Sequence, residues 1–153
     1  MVAKLPAMLN DNDRRLLADV EKYGWHCVQV AGDAEGPTYS FTVGLFQTYQ
    51  HPELLIMGLD AEVAHGVLSV AVQNIAKGHR YREGQRDDSL IENGFCHLKG
   101  IPSRLHRQYM GYAVWFYRNS PSPFTALQVI WPDSEGRFAG EAGFLHPELQ
   151  PEL

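Results

Sequence analysis

The chain has 153 residues, 44% hydrophobic and 20% charged, which suits one globular domain with a sizeable core. Its formal net charge is -5 with seven histidines neutral. Nucleic acid and anionic membrane are therefore not the expected partners, because a polyanion is normally met by excess Lys and Arg.

Residues 1–10 read as an N-terminal arm, and MVAKLPAML lacks the apolar core of a signal peptide. No apolar run is long enough to span a bilayer, so the expected location is the cytoplasm. Cys27 and Cys96 match no zinc spacing and read as a reduced pair. The first helix opens at Asp11 or Asn12 as cap. Leu16, Leu17, Val20 and Tyr23 follow at helical spacing, and Gly24 supplies a left-handed stop. Trp25–Ala31 reads as a strand and GDAEGP as a turn. In Thr38–Leu45, Tyr39, Phe41, Val43 and Leu45 alternate with Thr38, Ser40, Thr42 and Gly44. That period gives one core face and one small, hydroxylic face that suits a ligand or a close neighbour. The two strands form an expected antiparallel hairpin. Leu54–Leu59 is apolar on both faces and is expected at the centre of the sheet.

Asp60 caps the clearest helix, in which Ala64, Val67, Leu68, Ala71, Val72 and Ile75 form one stripe ending at Lys77-Gly78. His79–Gly94 is polar, and so long a connection is expected to be functional or mobile. Its Arg80, Arg82 and Arg86 can bind an anion or be neutralised by Glu83, Asp87 and Asp88. Phe95–Lys99 reads as a short strand. Ser103 then caps a helix with Leu105, Tyr109, Tyr112, Ala113 and Phe116 on one face. Ala126–Trp131 reads as the last strand, closed by a Pro132-Asp-Ser-Glu-Gly136 turn, and 145–153 as a loose tail. The expected fold is α+β, an α/β sandwich over residues 11–144. It has a mostly antiparallel sheet of about five strands and two to three helices.

The loop Phe46–Glu53 joins two core strands and is the first candidate site. His51 titrates near neutrality, and Glu53 lies two residues on, on the same side of an extended segment. Such a pair can transfer protons or contribute to a metal site, or it can simply shape the loop. No HxxxH or HExxH spacing exists, and no metal is expected. The second candidate is Gln128 with Trp131 and Asp133. Gln128 must find partners if buried, and Asp133 can be catalytic or can serve its turn.

Tyr39–Leu45, His51-Pro-Glu-Leu54 with Gly58, Gly24-Trp25, and Gln128–Asp133 with Gly136 together resemble the bacterial family called domain of unknown function 4262. The resemblance spans about residues 11–144 and implies a small bacterial α/β domain with no assigned reaction. It draws attention to Thr42, His51, Glu53, Gln128 and Asp133, the polar members of the matching motifs. The chain departs from the family pattern near Phe138–Glu141.

The favoured reading is a noncatalytic binding or accessory module. It takes a small molecule or a protein in a groove beside Thr42, His51 and Gln128, with Trp131 as a further contact. One alternative is a small hydrolase or transferase with His51 as general base and Glu53 or Asp133 orienting it. Another is a flavin or other cofactor-binding domain. A homodimer is possible, through aromatics among Tyr109, Tyr112, Trp115 and Tyr117, although the core is the preferred place for these side chains.

Overall fold

The computed structural model describes residues 10–92, 94–133, 136, 138 and 150–153. Most of the expected arm, the Ala139–Glu141 departure and His146 lie outside the described residues.

Helix α1 (Asp11–Tyr23) starts one residue earlier than expected. Its cap is Asn10, whose side chain accepts the Asp13 N–H, while the Asp13 carboxylate accepts the Asn10 N–H. This reciprocal box satisfies two donors that a helix start leaves open. Gly24 ends the helix in the left-handed region, as its lack of a side chain permits. Strands β1 (His26–Val30) and β2 (Tyr39–Val43) form the expected antiparallel hairpin. Then comes a short helix, α2 (Leu45–Tyr49), inside the segment read as a loop. Strand β3 (Glu53–Met57) pairs antiparallel with β2. Asp60 caps α3 (Ala61–Ala76) by accepting the Val63 N–H. A two-residue strand, β4 (Arg86–Asp87), precedes β5 (Cys96–Gly100).

The helix expected from Ser103 is broken. Ser103–Leu105 is a tight 3-10 turn, followed by α4 (His106–Tyr109) and α5 (Gly111–Phe116), with a kink at Met110. The Tyr39 hydroxyl donates to the Tyr109 carbonyl, and Met110 is fully buried. The break changes which residues face inward: Met110, Ala113, Trp115 and Tyr117 are buried, while Leu105, Tyr109, Tyr112 and Phe116 are only half-buried. Strand β6 (Ala126–Ile130) completes a sheet of six strands in the order β1-β2-β3-β6-β5-β4. β6 lies beside β3 and runs parallel to it, so the sheet is mixed. The other four pairings are antiparallel, which keeps the sheet mostly antiparallel as expected, with six strands in place of about five.

Period-two alternation splits the core. Leu54, Ile56, Leu127, Val129 and Leu98 point to the face covered by α3, meeting Ala64, Leu68, Ala71 and Ile75. Phe41, Val43, Leu55 and Met57 point to the other face, meeting Leu16 and Val20 of α1 and Ala113 and Trp115 of α5. This explains why β3 is apolar from Leu54 to Met57: it is covered on both sides. The last four residues were read as the end of a loose tail. They are instead seated on β6 and β5: Leu153 joins the second cluster and Lys99 Nζ reaches its carbonyl.

Candidate functional site

After β2 the chain must turn sharply to enter α2. Gly44 makes the turn at φ 116°. A Cβ there would meet the Gly24 carbonyl oxygen at 2.7 Å and Trp25 Cα at 3.0 Å. The turn aims three successive amides at one point. Gly44, Leu45 and Phe46 donate to the Glu53 carboxylate at 3.1, 3.2 and 3.1 Å. The Thr42 hydroxyl donates to Oε1 at 2.7 Å, and the Tyr117 hydroxyl donates to Oε2. Thr42 Oγ1 in turn accepts the Leu54 N–H at 2.9 Å, and Tyr117 Oη accepts the Gln47 N–H at 3.1 Å.

Glu53 is fully buried. Burial raises its pKa above the ordinary carboxylate value; the Tyr117 and Thr42 hydroxyls with the Phe46 and Gly44 amides oppose this without cancelling it. Five donors around one carboxylate are what its ionised form requires. Tyr117 is driven the same way: burial first, then the Glu53 charge, raises its phenol pKa well above the ordinary value. Glu53 and Thr42 therefore join β2, β3, α2 and α5 from within, and neither is open to a ligand.

His51 is also fully buried, but apart from Glu53. Nδ1 lies 2.8 Å from the Pro52 carbonyl, which makes it the donor nitrogen. Nε2 is then the acceptor, and it takes the Tyr81 N–H at 3.0 Å. The two bonds fix the neutral tautomer. Burial lowers the His51 pKa; the Pro52 bond opposes this, and the nearby Arg80 and His79 add to it. Of the alternatives weighed for His51 and Glu53, the proton-transfer pair is not formed. Strand β3 starts only at Glu53, so the same-side rule for extended residues does not reach back to His51.

Gln128 and Thr42 are likewise not brought together. Gln128 is in register with Leu55, and Leu55 with Phe41, so Gln128 lies on the opposite sheet face from Thr42. The buried Gln128 amide finds its partners in the chain end, donating to the Pro151 carbonyl at 2.8 Å and accepting the Leu153 N–H at 2.9 Å. Trp131 donates its indole N–H to the Met57 carbonyl at 2.7 Å, and its main chain exchanges two hydrogen bonds with the Gln150 amide. The Asp133 carbonyl accepts the Gly136 N–H at 3.0 Å, the expected turn.

The open space lies at the end of the sheet where β3 and β6 begin and β5 ends. A cleft of about 800 Å³ is lined there by His51, Arg80, Arg82, Glu83, Gly100, Ser103, His106 and Phe124, among others. Ile101, Phe124, Ala126 and Leu127 give it an apolar floor. His106 stacks on Phe124 with ring centres 4.6 Å apart, and its Nε2 lies 3.2 Å from the Ile101 carbonyl. Arg80 donates to the Tyr49 and Gln50 carbonyls, closing the end of α2. The Arg82 guanidinium makes no ion pair among the described residues. Glu83 folds over Gly100, where a Cβ would collide with its carboxylate. Of the sequence candidates only His51 reaches this cleft. Its Arg80 and Arg82 were read as either anion binders or neutralised surface charges, whereas His106, Phe124 and Gly100 gave no separate signal. Among the described residues no group of three or more His, Cys, Asp and Glu side chains is placed to hold a metal ion.

A mixed sheet sandwiched by helices, with a carboxylate sealed at a strand–helix junction and an open cleft at the sheet end, defines a compact α+β domain. The chain belongs to the family described as Domain of unknown function (DUF4262), whose model matches residues 19–145. No curated protein and no solved structure matches the chain.

Proposed function

We propose that this domain is a cytosolic binding module that takes a small organic molecule with an apolar body and an acidic group. The cleft at the end of β3, β5 and β6 carries the reading. It has an apolar floor and, at its rim, an arginine whose charge has no ion-pair partner among the described residues. Ligand sites typically combine a mostly apolar concavity of this size with a few placed polar groups. Arg82 supplies the planar donor fork that suits a carboxylate or phosphate. Phe124, with His106 stacked on it, offers a flat surface to the apolar part. The general-base reading is weaker, because both His51 nitrogens already hold hydrogen bonds.

The test is native mass spectrometry of gently purified protein, beside Thr125→Trp, which places an indole at the exposed cleft lip. The expected result is added mass that leaves on denaturation, is absent from Thr125→Trp and is reduced in Arg82→Gln. Its value would also reveal a flavin. The reading is sunk by equal loading of all three proteins, or by a clean mass together with no binding of added phenyl phosphate.

A further inference from the structure

We infer that His51 is a proton-operated latch on the cleft wall: neutral, it holds the Tyr81 amide; protonated, it lets go and loosens the His79–Glu83 lip. The geometry carries this. A single hydrogen bond, Tyr81 N–H to His51 Nε2 at 3.0 Å, ties the lip's main chain to the head of β3. Nδ1 already donates to the Pro52 carbonyl, so an added proton can only go to Nε2. Two donors would then face each other in a site closed to water, and the bond cannot survive.

The surroundings set the direction. The groups facing His51 are Arg80, His79 and Tyr81 from the lip, with Glu53 two residues along its own chain. Arg82, Glu83 and His106 share the cleft. Glu53 is committed to its five donors. His79 works in the opposite sense, because its Nε2 lies 3.1 Å from the Asp87 carboxylate and a proton there strengthens that contact. Acid loosening of the lip therefore points to His51.

The movement is bounded. Gly84 donates to the Leu98 carbonyl and Leu98 to the Gln85 carbonyl, so the chain beyond the lip stays on β5. The Tyr81 ring stays buried, its hydroxyl bonded to Asn74 and Ser89. Arg82 stays tied to Gln85, donating its N–H to Oε1 and accepting the Gln85 N–H at its carbonyl, so the main chain that moves is that of Arg80 and Tyr81. Proton control of ligand binding thus rests on the cleft reading above, while the latch itself does not.

The experiment is residue-resolved amide exchange by NMR on the full chain from pH 7.5 down to 4.5, a range extended to acid because burial lowers the His51 pKa, corrected for intrinsic rates. The His51 ring nitrogens are followed in the same samples. The expected result is the Nδ1–H tautomer at high pH and at least a tenfold fall in Tyr81 protection. That fall shares its midpoint with the His51 titration, while Gly84 keeps its protection. His79→Gln keeps the step, and His51→Gln abolishes it. An Nε2–H tautomer, constant Tyr81 protection through the His51 titration, or parallel loss at Tyr81 and Gly84 overturns the latch. The wild-type data alone decide if His51→Gln does not fold. No ligand is present, so failure here is distinct from failure of the cleft reading.

Discussion

An ionised carboxylate sealed from water persists only where donors replace its hydration, and Glu53 meets five. Glu53→Gln keeps the shape but turns an NH2 group toward some of those donors. The expected cost is about 3 kcal/mol, since each buried donor left unpaired costs roughly 1–3 kcal/mol. Urea unfolding measures it, and a loss below about 0.5 kcal/mol would show that the buried carboxylate does not hold this junction together. The sequence marked Thr42 on a small, hydroxylic strand face and Glu53 as the carboxylate two residues from His51 at the end of a loop. It did not reveal that they bond each other, nor that Tyr117, 64 residues further on, completes the set. Local periodicity carries no information about a partner that far along the chain.

At the scale of elements, caps and stripes were legible where they are local. Asp60 with the Ala64–Ile75 stripe, and Gly24 after α1, appear as expected because helix ends are settled by residues three or four apart. The kink at Met110 was not legible, since a hydroxyl from β2 and the burial of Met110 accompany it. Gly44 is a tight element junction: β2 turns into α2 with the α1–β1 corner against its Cα. Gly44→Ala combines a positive φ with a backbone clash and is expected to cost about 2–4 kcal/mol. Thermal unfolding reads the loss. A melting temperature equal to that of wild type would mean that the corner yields easily.

Across the whole molecule, the two faces of the sheet are covered differently. The α3 face is closed by a long helix, while over β6 the opposite face is met by Gln150–Leu153. Gln150 is fully buried and holds the Trp131 N–H and carbonyl through its amide at 2.7 and 2.8 Å. Gln150→Ala removes both bonds and is expected to cost about 2 kcal/mol. It should also brighten or shift tryptophan emission before global unfolding. Unchanged stability and unchanged emission would show that this chain end does not hold β6.

By itself the sequence determined the α+β class, the central place of β3, the β1–β2 hairpin and the caps of α3, because alternation, stripes and turn residues act over a few positions. Only the tertiary structure decided that β6 runs parallel to β3, that Glu53 turns to amides while His51 turns to Tyr81, and that the open cleft lies at the sheet end. These outcomes depend on which distant segments share the core. The buried polar groups take whatever partners that arrangement brings within hydrogen-bonding distance.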